Sequence, residues 1–208
     1  MAAPLGRGQV YVISAPSGVG KTTLIGRILT KLPFVRYSVS CTTRPPRSGE
    51  TPGKDYHFLS REEFQRGIGE GRFLEWAVVH DAYYGTDGNQ VNRWLQDGWD
   101  VLLDIDVQGA RQIRCAHPQS LNIFILPPSM EVLEERLLRR GTESAEQLKR
   151  RLAAARDEIM EAPWYDFIIV NDLLHEAAAD LESIFRAQRC RRFCQSWRVA
   201  PFLTPDDR

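Results

Sequence analysis

Four short apolar runs punctuate the chain, at residues 10–13, 101–105, 121–126 and 167–170. Interrupted only by Asp104 and Asn122, they are rich in β-branched and aliphatic side chains and lack strict alternation. That is the texture of strands buried on both faces of a parallel sheet. Between them apolar residues recur at helical spacing. Leu24, Ile25, Ile28, Leu29 and Leu32 form one such stripe, which Pro33 stops. Strand alternating with helix predicts an α/β core: a parallel sheet flanked by helices.

The pattern changes over residues 36–92. The turn-rich Thr42-Thr43-Arg44-Pro45-Pro46-Arg47-Ser48-Gly49-Glu50 is followed by strand-like pieces at 56–59 and 73–79. This block predicts an antiparallel subdomain inserted into a core made of residues 1–35 and 93–208. Residues 131–160 read as two helices broken at Arg140-Gly141-Thr142, with Ser144 and Gln147 forming a capping box for the second. A last helix is predicted from about residue 174 to 192.

A chain of 208 residues suits one core with appendages. Its 27 Lys plus Arg balance 27 Asp plus Glu, so no global field marks it as a nucleic-acid or membrane-surface binder. Residues 1–8 hold no apolar signal segment, and no run approaches the ~18 apolar residues of a membrane span. The expectation is a cytoplasmic enzyme. Cys41, Cys115, Cys190 and Cys194 include no C-x-x-C pair and read as reduced thiols. Cys190 and Cys194, as an i, i+4 pair on a helix, make only half of a zinc set. The basic tail at 186–198 is read as cations complementing a helix C-terminus, not as a nucleic-acid contact.

The clearest chemistry follows the first strand. Ser14-Ala15-Pro16-Ser17-Gly18-Val19-Gly20-Lys21-Thr22-Thr23 nearly matches the phosphate-binding pattern G-x-x-x-x-G-K-[ST], with Ala15 at the first glycine. Gly18 and Gly20 let backbone N–H groups approach phosphate oxygens, and the helix behind presents its positive end. Lys21 reaches the β- and γ-phosphates and the Thr22 hydroxyl suits Mg²⁺. Alanine at the first position is harmless if its φ stays negative.

The strand at 101–105 ends in Asp104 and Asp106, where open α/β sheets bind ligands. Two residues apart, the carboxylates share a face if the strand persists; as helix caps they serve a different purpose, and the readings are compatible. Arg44 and Arg47, three apart in a Pro-containing turn, suit a bidentate grip on phosphate or stand as solvated loop arginines. Tyr56 and Tyr84 add hydroxyl donors or simply fill core. His57, His80, His117 and His175 are scattered and carry no assigned role.

Six blocks then carry a resemblance: Ser40-Cys41-Thr42-Thr43-Arg44-Pro45-Pro46-Arg47, Gly53-Lys54-Asp55-Tyr56, Phe73-Leu74-Glu75-Trp76, Tyr83-Tyr84-Gly85-Thr86, Leu103-Asp104-Ile105-Asp106-Val107-Gln108-Gly109 and Val170-Asn171-Asp172. In this order they closely resemble the motifs of the guanylate kinases, over nearly the whole chain. The resemblance implies ATP + GMP ⇌ ADP + GDP with Mg²⁺, on a P-loop kinase core carrying a mixed α/β GMP-binding insertion and a helical lid at about 136–156. It implies that residues 15–23, with Asn171 on the adenine side, bind ATP. Arg44, Arg47, Tyr56 and Tyr84 would hold the GMP phosphate. Ser40, Glu75 and Thr86 would read guanine, with Asp104 and Asp106 near the acceptor and metal. The catalytic cations would be Lys21, Arg44, Arg136, Arg140 and Arg151. Thr86 departs from the serine of many relatives but keeps the hydroxyl. Two other readings compete. A non-catalytic interaction module of the same fold should lose loop or lid residues, and a P-loop kinase for a phosphorylated sugar should lack Ser40, Glu75 and Thr86 as a set.

Overall fold

The computed structural model describes residues 8–79, 81–139 and 145–203. The chain opens with β1 (Val10–Ser14), α1 (Lys21–Lys31) and β2 (Val35–Ser38). It then leaves this layer for β3 (Cys41–Thr42), β4 (His57–Phe58), α2 (Arg61–Gly69), β5 (Phe73–Val79) and β6 (Ala82–Asp87). It returns through α3 (Gly88–Gln96) to β7 (Asp100–Asp104), α4 (Val107–Ala116) and β8 (Leu121–Leu126). Helices α5 (Met130–Leu138) and α6 (Ala145–Met160) precede β9 (Phe167–Val170), α7 (Leu174–Arg189) and α8 (Arg192–Leu203).

The first sheet is five-stranded and parallel throughout, in the order β2-β7-β1-β8-β9. Its alternation explains why the runs are apolar on both sides. Tyr11 and Ile13 face α1 and α7, where the Tyr11 ring stacks on Phe185 at 3.9 Å, while Val10 and Val12 face α3 and α4. All five residues of β1 are buried. A separate small cluster of Leu133, Leu137 and Ala155 holds α5 to α6.

The second sheet has the order β4-β3-β6-β5. The expected antiparallel pairing holds for β3–β6 and β5–β6, whereas β3 and β4 pair in parallel. The long connection at 43–56 brings the chain back in the same direction, as a parallel pair requires. Phe64 of α2 anchors this layer, stacked on Phe73 and Tyr83 with centroids 4.2 and 5.2 Å away.

Three further differences have local causes. Residues 35–38 form a strand of the first sheet, paired to β7, so the chain leaves that sheet after Ser38. The predicted single C-terminal helix is two: α7 stops at Arg189, and the Gln195 amide folds back to cap the Arg189 carbonyl at 2.5 Å. Arg189 is itself fixed to the fully buried Asp100 at 2.9 Å. Cys190 thus ends α7, exposed, while Cys194 is buried on α8, and the expected same-helix thiol pair does not form. The expected break at Arg140-Gly141-Thr142 and the Ser144 cap lie outside the described residues, as does His80. Among the described residues no helix is long and apolar enough to cross a membrane.

Candidate active site

The phosphate-type loop joins β1 to α1, and its glycines are where the backbone demands them. Gly18 and Gly20 have φ of 95° and 100°, a region that penalises a Cβ. Ala15 does not share that region: among the described non-glycine residues only Asp81 has positive φ. The substitution at the first position is therefore free of strain. Space matters as well, since a Cβ on Gly20 would lie 2.7 Å from the Asn171 amide nitrogen.

Helices α2, α3, α4 and α5 have side-chain caps from Ser60, Asp87, Asp106 and Ser129. Helix α1 has none, and no acidic residue in its first turn. Its leading N–H groups and positive dipole end are left for an anion. The loop is braced from three directions. Asn171, 4 % exposed, donates to the Val19 carbonyl at 2.7 Å. Arg136 of α5 donates to the same oxygen at 3.3 Å, and Arg151 of α6 contacts the Ser17 hydroxyl. Two arginines expected at the lid therefore reach the loop; Arg140 lies outside the described residues.

Beside the loop, β1 and β7 are neighbours with Ile13 opposite Asp104. This register brings the Lys21 ammonium to 2.5 Å from Asp104 Oδ1. Strand β7 ends at Asp104, so the shared-face expectation for Asp104 and Asp106 does not apply. Asp106 instead caps α4, accepting from Gly109 N at 2.8 Å. Both carboxylates still line one cavity of about 320 Å³ with Lys21, Ser40, Tyr56, Glu75 and Tyr84.

Next to Tyr56 and Tyr84, which line the cavity, Arg44 donates to the Tyr84 hydroxyl at 3.3 Å and lies 5.4 Å from the Tyr56 ring centre. Its guanidinium forks onto Glu50 at 3.0 and 2.8 Å, and Glu50 also accepts from Arg47 N at 2.7 Å. That fork holds Arg44 firmly protonated and lowers the Glu50 carboxyl. The Arg47 side chain is exposed. Glu50 was not among the sequence candidates, although its place just after the two arginines was a usable signal. Glu158 was also missed. It stands two turns beyond Arg151 on α6, hence on the same face, and lines the cavity. Burial pushes its carboxyl upward, as Asp106 does, against the pull of Lys21.

Glu75 is the most unusual group in the cavity. It is 4 % exposed, and its partner is the Thr86 hydroxyl, which donates at 2.6 Å across the β5–β6 pair. Burial raises its carboxyl to about 7, with the Asp106 charge adding and the Thr86 hydrogen bond opposing. The other carboxylate oxygen packs on the first turn of α4, 2.5 Å from where a Cβ on Gly109 would stand. A side chain at this position would displace the carboxylate.

The guanylate kinase family model matches residues 7–188. The guanylate kinase of Neisseria gonorrhoeae is 50 % identical over 197 residues, 95 % of this chain and 96 % of that protein. That of Geobacter metallireducens is 49 % identical over 186 residues, 89 % and 92 % respectively. Among solved structures, guanylate kinase from Anaplasma phagocytophilum superposes with a TM-score of 0.73 at 35 % identity, covering 91 % of this chain and 90 % of that one. With a braced P-loop beside a cavity that holds the buried Glu75, and similarity extending along nearly its whole length, this chain belongs to the guanylate kinase family.

Proposed function

We propose that the protein transfers the γ-phosphoryl group of ATP to GMP. The observation that carries this reading is one cavity shared by the P-loop lysine and a buried carboxylate, Lys21 and Glu75. Residues 15–23 receive the donor phosphates on the uncapped start of α1. Asn171 supports that loop from the adenine side. Across the cavity Arg44 and Arg47, with the hydroxyls of Tyr56 and Tyr84, hold the acceptor phosphate. Glu75, oriented by Thr86 and accompanied by Ser40, reads guanine, with Asp104 and Asp106 beside it.

Phosphoryl transfer asks little covalent chemistry of a protein; it needs in-line positioning and cations around the spreading negative charge. Lys21 supplies one cation from the loop, and Arg136, Arg140 and Arg151 supply others from the lid. The exposed Thr22 hydroxyl in the first turn of α1 is a hard oxygen donor suited to Mg²⁺ carried on ATP. Bound there, the ion would neutralise charge on the donor phosphates.

The insertion between Ser38 and α3 and the lid at 136–156 are proposed to close over the core, to which β2 and α3 belong. The support is the packing: α5 and α6 share a small cluster of their own, and the second sheet is separate from the first. Distance labels on Glu70 and Glu146 should each approach a label on α7 when a bisubstrate analogue binds. Unchanged distances would count against closure.

The competing readings are disfavoured by specific residues. An interaction module has no use for a braced Lys21 loop, and a sugar-phosphate kinase has none for Glu75 paired with Thr86. An ADP-release assay with a panel of acceptors tests all three. GMP should exceed AMP and phosphorylated sugars by at least ~100-fold in kcat/KM, since a site built around hydrogen bonds rejects acceptors that leave them unmade. No turnover with GMP, or equal turnover with a sugar phosphate, would overturn the proposal.

A further inference from the structure

Strand β5 carries Glu75 and is an edge strand of its sheet. In an antiparallel pair the N–H and C=O of one residue point the same way, alternately toward and away from the partner. Glu75 pairs with Thr86 and Trp76 lies opposite Gly85. The backbone groups of Trp76 turn outward, and they are met by one side chain. Gln112 of α4 accepts from Trp76 N at 3.2 Å and donates to Trp76 O at 2.8 Å. A primary amide has the donor and acceptor of a peptide group, so Gln112 serves as one residue of a missing neighbouring strand.

Gln112 lies three residues after Gly109, on the same face of α4. Gly109 is the residue against which the Glu75 carboxylate packs. Strand β5 is thus fixed to one helix face at two successive places: the carboxylate of Glu75 over the first turn, and the backbone of the next residue one turn later. That first turn also carries Asp106, which caps it. We propose that Gln112 is a positioning residue for acceptor recognition, locking β5 against α4 so that the Glu75 carboxylate presents both oxygens to the base. The inference rests on the proposed reading of guanine by Glu75.

The residue is exposed and α4 is built on other side chains, Ala110 and Ile113, so its loss should spare the core. Gln112→Met keeps length and helical preference while removing both hydrogen bonds. Gln112→Glu keeps the acceptor for Trp76 N and loses the donor. Melting curves close to the parent check that both fold. Gln112→Met should raise KM for GMP about three- to tenfold, the range of one or two net hydrogen bonds, with KM for ATP within about twofold. Gln112→Glu sets a carboxylate oxygen against the Trp76 carbonyl and should do no better than Gln112→Met. The preference for GMP over inosine monophosphate, which keeps N1–H but lacks the 2-amino group, should shrink as the fork loses alignment.

A double-mutant cycle separates positioning from general loosening. In the Glu75→Gln background, Gln112→Met should add little to KM for GMP. Full additivity, an unchanged KM for GMP in Gln112→Met, or an equal loss for every acceptor with the GMP preference intact would each overturn the role. If Glu75→Gln alone leaves GMP efficiency and preference unchanged, the guanine reading fails first and the proposal falls with it, a result distinct from a silent Gln112.

Discussion

Replacing Lys21 by alanine is expected to lower kcat by about 10²–10³-fold, the scale of removing one preorganised charge-stabilising donor. The proposed division of labour puts the ammonium on the donor phosphates, where it matters most as charge spreads in the transition state. GMP affinity should change far less, since the proposed grip on its phosphate comes from Arg44, Arg47, Tyr56 and Tyr84. One complication follows from the structure. Lys21 pairs with Asp104 at 2.5 Å inside the cavity, so its removal leaves a carboxylate without its cation close to the acceptor. That stray charge would repel an anionic ligand. Lys21→Ala/Asp104→Asn controls for it: GMP binding by calorimetry should return to within about threefold of the parent, the range of a surface-type charge effect, while turnover stays lost. Near-normal turnover in Lys21→Ala would remove the loop from the chemistry.

What the sequence made legible depended on how completely a segment is buried. Strands β1, β7 and β8 announce themselves because both faces are covered, leaving runs such as Leu121–Leu126 with almost no polar interruption, and β9 is as apolar in sequence although Ile168 and Val170 are exposed at the sheet edge. Strand β2 reads Val-Arg-Tyr-Ser and is buried only at its two ends. As an edge strand it carries no such run, and Arg36 spends its charge over the Trp99 ring at 4.0 Å. The two-residue strands β3 and β4 are too short for periodicity to register, which is why their parallel pairing was not foreseen. The helical pattern runs on past Arg189 because residues 186–198 contain no glycine or proline, and the stop comes with the Arg189–Asp100 ion pair and the Gln195 amide on the Arg189 carbonyl. At the site, the loop was legible because its chemistry is local in sequence. Glu50 and Glu158 were not, because their meaning comes from what folding sets against them, Arg44 in one case and the Lys21–Asp106 surroundings in the other. Gln112 belongs with them: a surface glutamine on a helix gives no sign that it pairs with a strand edge 36 residues earlier.

Glu75→Gln is expected to lower kcat/KM for GMP by at least about tenfold, the worth of a charge-assisted hydrogen bond. Guanine presents two adjacent donors, N1–H and the 2-amino group, and an ionised carboxylate offers two acceptors in matching array. Adenine places an acceptor at N1 and no amino group beside it, so the buried carboxylate would face a lone pair. The amide can offer adenine a donor, and the preference for GMP over AMP should narrow. The raised carboxyl adds two signs that can be checked. In the free protein, burial lifts Glu75 from an ordinary 4.5 to about 7. The folded state therefore holds this proton more tightly than the unfolded chain, and stability credited to that proton is full below about pH 4.5 and lost as pH rises through about 7. Above pH 7, Glu75→Gln should accordingly stabilise the free protein, by on the order of 1–3 kcal/mol, with Thr86 still able to donate to the amide oxygen. Binding runs the other way. Two guanine donors favour the ionised carboxylate, so kcat/KM for GMP should rise with pH through about 7 in the parent and lose that limb in Glu75→Gln. The GMP phosphate titrates near pH 6 by itself, as phosphate monoesters do, and its contribution should persist in both proteins, so the difference between the two profiles isolates Glu75. A variant that melts higher at pH 8 yet uses GMP poorly is the signature of a carboxylate kept buried for its ligand at the expense of the fold. If Glu75→Gln leaves GMP efficiency, the GMP/AMP ratio and the acidic limb all within about twofold of the parent, as the small worth of a surface pair would allow, the carboxylate does not read the base.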